Sequence, residues 1–321
     1  MTAVHSTSRL VRKLEEVLGP DIRSALADPS VVEIMLNSDG NLFVERLGQT
    51  ISRIGQMDTT AAEIAIGGVA HSTGTTVDER RPIISAELPI GGHRFEGLLP
   101  PVVQAPVFCI RKRASRLVPL DDYVSDGSMT AEQACLLRHA VDNRFNILVS
   151  GGTGSGKTTL ANALIAEIAA VASNDRLIIL EDTVEIRCGS RNALALRTSD
   201  EIDMQRLLKS TLRLRPDRII VGEVRDGAAL SLLKSWNTGH PGGIATVHAN
   251  SARSALRRIE QLTAEATPQP MQSVIGEAID LVVSIERTAT GRRLGELLRV
   301  GGHDGTAYRL EPYREGNRDA A

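Results

Sequence analysis

The chain has 321 residues, 42 % hydrophobic and 24 % charged, which is enough for two ordinary domains and too apolar for a disordered polymer. A formal net charge of −2 excludes a generally basic nucleic-acid coat, and an aromatic content of 2 % argues against a base-stacking platform. No uncharged apolar stretch reaches the roughly 18 residues of a membrane span, and MTAVHSTSRLVRKLEEVLG holds no signal-peptide core, so a cytoplasmic location is expected. Cys109, Cys135 and Cys188 are scattered without a C-x-x-C pair, which removes a paired-cysteine zinc site and fits a reducing compartment.

Taken in order, Leu10, Val11, Leu14, Val17 and Leu18 have helical spacing, and the helix is predicted to end near Gly19-Pro20, with a second short helix over 21–27. Residues 32–36 read as a strand, Asn37-Ser38-Asp39-Gly40 as turn chemistry and 42–45 as the returning strand. A helix over 60–71 follows, then strands at 83–88, 93–99 and 107–111. This first part, 1–111, is expected to be an α+β domain with an antiparallel sheet. The basic run RKRASR and the turn-like VPLDD place a linker at 112–127. From Thr130 onward, in a domain spanning 128–321, strands at 146–149, 177–180, 193–196, 218–221, 243–247 and 281–285 alternate with helices. That is the pattern of a mainly parallel sheet covered by helices. The last stretch, 301–321, is polar and is expected to fray.

The second domain is organised around FNILVSGGTGSGKTTL, residues 145–160. A short apolar strand runs into a glycine-dense turn and then a helix, and 151–158 match G-x-x-x-x-G-K-[ST]. Gly151, Gly152, Thr153, Gly154, Ser155, Gly156, Lys157, Thr158 and Thr159 are the candidate phosphate-binding residues. Glycines let the backbone approach an anion, and the amides and the helix N-terminus supply positive potential. Lys157 is placed on the β- and γ-phosphates of ATP, and Thr158 on Mg²⁺.

Further acids and a histidine lie at other strand ends. RIIVGE ends in Glu223, a candidate to hold Mg²⁺ through water. LIILED ends in Glu181 and Asp182, and Glu181 is the candidate to orient water and accept its proton; the alternative is that both acids cap the following turn. GHPGGIATVHAN puts His248 at a strand end, where it could sense the γ-phosphate.

The loop GGTGSGKTT, the acidic box ILEDTVEI, the run LRLRPDRIIVGEVRDGAA and the box GHPGGIATVHAN occur in one order. Together they resemble the traffic ATPases of secretion, pilus and conjugation machines, most nearly the conjugal-transfer branch of type IV secretion. The resemblance covers most of the chain. It implies a RecA-like P-loop domain behind a smaller N-terminal domain, a homo-hexameric ring, and ATP bound between each N-terminal domain and its own P-loop domain. It further implies Glu181 as catalytic glutamate, Glu223 as the Walker-B acid, and inner-membrane channel proteins as partners. The four-cysteine zinc module of many type II and pilus-extension members cannot be built here. Arg94 and Arg111 resemble the N-terminal-domain arginines that reach the γ-phosphate in this family; a solvated sheet face is the other reading. Arg213, Arg215 and Arg225 are weaker candidates, with subunit contacts as their alternative role.

An ATP-hydrolysing motor, peripheral to the membrane and without sequence-specific nucleic-acid contacts, is therefore the expected function. A nucleotide-gated assembly switch would not need both Glu181 and Glu223, and a small-molecule kinase would leave 239–250 unexplained. Within the motor class, a tight-adherence or type IV pilus ATPase is the second reading.

Overall fold

The computed structural model describes residues 2–113, 117–199, 201–288 and 291–314. The chain forms two compact units, Met1–Ser115 and Arg116–Ala321.

In the first unit, α1 (Thr2–Ala27), β1 (Val31–Leu36), β2 (Asn41–Arg46), β3 (Ser52–Gln56), α2 (Thr59–Ser72), β4 (Ile83–Leu88), β5 (His93–Leu98) and β6 (Val107–Arg111) follow one another. The strands make one antiparallel sheet in the order β3-β2-β1-β6-β5-β4. Its core comes from alternation: Ile34, Leu36, Leu42, Val44, Phe95, Phe108 and Ile110 face inward against Leu14, Leu18 and Ile22 of α1 and Ile66 and Val69 of α2. The break expected at Gly19-Pro20 is there, with Gly19 at φ 76° and ψ 176°, but both halves lie within α1. Strand β3 was not anticipated. It is a polar edge strand, held by backbone pairing to β2 and marked by no apolar alternation.

In the second unit come α3 (Leu120–Ser125), α4 (Ala131–Asp142), β7 (Ile147–Gly151), α5 (Lys157–Val171), β8 (Leu177–Glu181), β9 (Ala193–Arg197), α6 (Met204–Thr211), β10 (Arg218–Val221), α7 (Ala228–Asn237), β11 (Ile244–His248), α8 (Ala252–Ala266), α9 (Gln272–Ala278), β12 (Leu281–Thr288), β13 (Gly291–His303) and β14 (Tyr308–Pro312). The sheet order is β14-β13-β12-β7-β11-β10-β8-β9; the run from β12 to β9 is parallel and β13 and β14 are antiparallel additions. This is the expected α/β, mainly parallel P-loop architecture behind an antiparallel α+β unit. One face of the sheet (Val149, Ile179, Ile220, Val283) packs on Leu136, Leu137, Leu160 and Leu164. The other (Leu148, Ile178, Ile219, Val247) packs on Leu232, Leu233, Leu256 and Ile259. Each such side chain contributes about 1.5–3 kcal/mol by burial.

Two expectations are corrected. Much of the segment read as a linker, 112–127, is structured: 114–116 lie outside the described residues, but α3 buries Leu120 and Tyr123 in the core of the second unit. The segment 301–321 does not simply fray. β14 pairs with β13, and Tyr313 is buried, its hydroxyl 2.5 Å from His139 Nδ1 and its amide donating to Leu297 O at 2.8 Å. Antiparallel backbone pairing tolerates polar residues, so polarity alone misread it; residues 315–321 lie outside the described part.

At the N-terminal end of β10, Arg218 is 2 % exposed. Its Nε donates to Asp175 Oδ2 at 2.7 Å, and Nη1 reaches Val141 O at 3.2 Å. Arg144 Nη2 donates to both oxygens of the same carboxylate. Asp175→Ala would leave a buried guanidinium without its counter-charge, an effect of about 3–5 kcal/mol. A urea melt is expected to show a loss of that size; a change below about 1 kcal/mol, as for an exposed pair, would contradict the assignment.

Candidate functional site

Parallel strands end on one side, so β7, β11, β10 and β8 deliver Gly151, His248, Gly222-Glu223 and Glu181 to a single edge. The register is direct: His248 lies opposite Gly151, and Val221 opposite Leu180. All four motifs singled out in the sequence therefore meet.

The turn after β7 holds Gly154 at φ 68° and Gly156 at φ 101°, conformations that exclude most side chains. A Cβ on Gly151 would collide with Ile285 O and Ser155 Oγ. Among the described residues the buried Ser155 hydroxyl has no hydrogen-bond partner. A turn that admits no side chain at Gly151 and holds a buried hydroxyl without a partner fits a bound phosphate. Lys157 is buried; its Nζ donates to Gly152 O at 3.0 Å and stands 3.3 Å from His248 Nδ1.

The acidic side is held by a chain of charges. His248 Nε2 is 2.8 Å from Glu223 Oε1, and Arg225 grips Glu223 Oε2 through Nε at 2.8 Å and through Nη2. Arg225 Nη1 is also 3.4 Å from Asp182 Oδ2. Burial opposes the charge on Arg225, but the Glu223 hydrogen bond and the fields of Glu223, Asp182 and Glu185 outweigh it, so its affinity for its proton rises.

Glu181 is 4 % exposed, and its Oε1 accepts from the amides of Glu185 at 2.8 Å and Ile186 at 2.7 Å. It does cap the following turn. That turn carries Glu185, to which the sequence reading gave no role. Thr158 Oγ1 donates to Glu185 Oε2 at 3.2 Å, and one helical turn on, Asn162 clasps the same segment through Glu185 O and the Arg187 amide. Glu185 could have been suspected as a second carboxylate four residues after Glu181, but only the loop path brings it to Thr158. Thr158, Glu181, Glu185 and Glu223 line one pocket. Its hard oxygen donors suit Mg²⁺, which is commonly held by one or two protein oxygens together with substrate phosphates. Among the described residues no cluster forms an all-protein metal cage.

The rest of the histidine box does other work. Gly243 lies under Trp236, whose Nε1 donates to Ile219 O at 3.2 Å, and Gly242 (φ 85°) leaves room for Arg218. Both sit at the end of the sheet away from the phosphate loop. In the first unit, Arg94 and Arg111 are directly opposed on β5 and β6, with Glu87 opposite Arg94 and Glu33 opposite Arg111.

The profile of the family described as type II/IV secretion system protein matches residues 19–290. The conjugal transfer protein TrbB of Rhizobium radiobacter is 62 % identical over 320 residues, covering 100 % of this chain and 99 % of its own. The type IV secretion system protein VirB11 of Bartonella quintana is 31 % identical over 315 residues, covering 83 % of this chain and 87 % of its own. The solved structure of the pilus retraction motor PilT with bound ADP shares the fold, with a TM-score of 0.63 at 20 % identity, over 93 % of this chain and 84 % of that one.

Lys157→Ala removes the ammonium group from the phosphate cradle. It is expected to weaken ADP binding roughly 10- to 100-fold, the worth of one charge-assisted contact. Isothermal titration of the purified variant measures this; wild-type affinity would refute the cradle assignment.

Proposed function

The chain belongs to the type II/IV secretion system protein family, and we propose that it is an ATP-hydrolysing motor of a conjugative type IV secretion machine. The motor acts as a homo-hexamer at the cytoplasmic face of the inner membrane and docks on channel proteins there. Among the described residues no helix is long and apolar enough to cross a membrane, which supports peripheral attachment. The observation that carries the proposal is the convergence of Lys157, Thr158, Glu185, Glu223 and His248 at one sheet edge.

In this reading the amides of 151–156 and Lys157 bind the β- and γ-phosphates. Thr158 and Glu223 would hold Mg²⁺, the latter through water; when bound, the ion neutralises phosphate charge. His248, between Lys157 and Glu223, would hydrogen-bond the γ-phosphate. Arg94 and Arg111 supply guanidinium charge to the transferring phosphoryl group.

The geometry favours Glu185 over Glu181 as the group that orients water and accepts its proton. Oε1 of Glu181 already accepts from two amides, and a Gln carbonyl there would serve them equally well. Glu185 presents its carboxylate beside Thr158. Glu181 is then the positioning residue that shapes the turn.

Glu185→Gln is expected to keep ADP affinity and to lower kcat about 10²–10⁴-fold, the usual range for general-base assistance. Glu181→Gln should cost less than about tenfold. Single-turnover assays with bound ATP decide the matter, and the reverse ranking would return the role to Glu181.

Arg94→Ala and Arg111→Ala are expected to lower kcat strongly and leave ADP affinity almost unchanged, because each acts on charge that develops in the transition state. With circular dichroism confirming the fold, near-normal kcat in both variants would remove the first unit from the catalytic machinery.

A further inference from the structure

The two strand neighbours of β7 flank the phosphate loop from opposite sides. β11, with β10 and β8 beyond it, carries His248, Glu223 and the acidic turn on one side; β12 lies on the other. On the face of β12 and β13 that packs on α5, Val283, Ile285 and Leu294 are buried with Leu160 and Leu164. In the same register this stripe ends in Arg287 directly opposite Arg292, one step beyond the Ile285–Leu294 pair. Both arginines reach the glycine turn. A Cβ on Gly156 would lie 3.0 Å from Arg292 Cδ and 3.1 Å from Nε, and one on Gly154 would lie 3.9 Å from Arg287 Nη1. Arg293 faces the other way and pairs with Glu286.

The strands carrying these arginines are fixed to the domain. Leu294 N donates to Ser128 O at 2.7 Å, and Gln133 Nε2 to Gly295 O at 3.3 Å. Both guanidinium groups stand beside the glycine turn, so an anion held there meets positive charge from this side as well.

We infer that Arg287 and Arg292 form a second anion contact on the β12 side of the loop and bind the nucleotide's α-phosphate. This rests on the proposed nucleotide site and extends it. Lys157, Glu223 and His248 take the terminal phosphates on the β11 side, so the phosphate next to the nucleoside leaves the cradle on the β12 side. ADP and ATP share that phosphate, and it does not react. The two arginines therefore add uniform binding energy: their loss raises KM and the ADP dissociation constant by the same factor and leaves kcat in place.

The test measures Mg-ADP affinity by isothermal titration, and KM and kcat by steady-state hydrolysis, for wild type, Arg287→Ala, Arg292→Ala and Arg292→Lys, with circular dichroism on each. Both alanine variants are expected to lose roughly tenfold in ADP affinity, with KM rising in parallel and kcat within about twofold. Arg292→Lys retains the charge and the packing stem against Gly156 but loses the fork, so it should fall between wild type and alanine. Unchanged ADP affinity in folded Arg287→Ala and Arg292→Ala, while Lys157→Ala binds poorly, overturns this inference and leaves the nucleotide site standing. A loss confined to kcat overturns it too and moves the arginines to the reacting phosphate. Wild-type protein that binds no ADP overturns the site and the inference together.

Discussion

The chemistry of this chain depends on one constraint: parallel strands end at the same edge. Loop 151–156, Glu181, Glu223 and His248 are far apart in sequence and belong to different strand–helix units. Only the parallel run β12-β7-β11-β10-β8 brings them together. An open α/β sheet binds its ligand beyond the carboxyl ends of its strands for this reason. The pairing of His248 with Gly151 and of Val221 with Leu180 sets the depth at which each side chain emerges. A slip of one residue would turn His248 to the opposite face. The register is held by apolar layers on both faces of the sheet, so site geometry and core packing are one problem.

Gathering four carboxylates at one edge carries an electrostatic cost. Glu181, Asp182, Glu185 and Glu223 line neighbouring parts of the same pocket, and like charges at such range repel strongly when partly buried. The structure compensates locally. Two backbone amides serve Glu181, a threonine hydroxyl serves Glu185, and Arg225 spans Glu223 and Asp182. Lys157 and His248 complete the chain from the phosphate cradle to the acids. From the loop to Asp182 the contacts run Lys157, His248, Glu223, Arg225 and Asp182, so a change in the charge held by the loop bears directly on the groups that hold the acids.

The opposite end of the same sheet carries a second polar cluster. Arg218, Asp175 and Arg144 tie β10 to the α4–β7 and α5–β8 connections, and Gly242 and Gly243 make room for Arg218 and Trp236. The histidine box is thus divided by β11 itself: its glycines belong to the structural end and His248 to the chemical end.

The local structure around the motifs was legible in the sequence alone. The glycine-dense turn needs positive φ, its lysine and threonine follow at fixed spacing, and apolar runs ending in acids identify parallel strands whatever lies around them. The six parallel strands and the antiparallel character of the first sheet follow from such local patterns. Pairing partners do not. Strand β3 is polar and is held by backbone hydrogen bonds to β2, which leave no mark in side-chain periodicity; β13 does bury Leu294, Leu297, Leu298 and Val300, but a bulge and glycines break their alternation. Glu185 reads as one more acid in a loop until the Glu181 cap and Asn162 bend that loop back to Thr158. Arg287 and Arg292 lie beyond the last strand expected from the sequence, 281–285, and only the pairing of β12 with β7 and β13 brings them beside the glycine turn. Sequence determined the strand, glycine turn and helix of 145–160, because that is a property of a few adjacent residues; tertiary structure decided which carboxylates and arginines lie beside that turn, because that depends on strand order and on the paths of loops between distant elements.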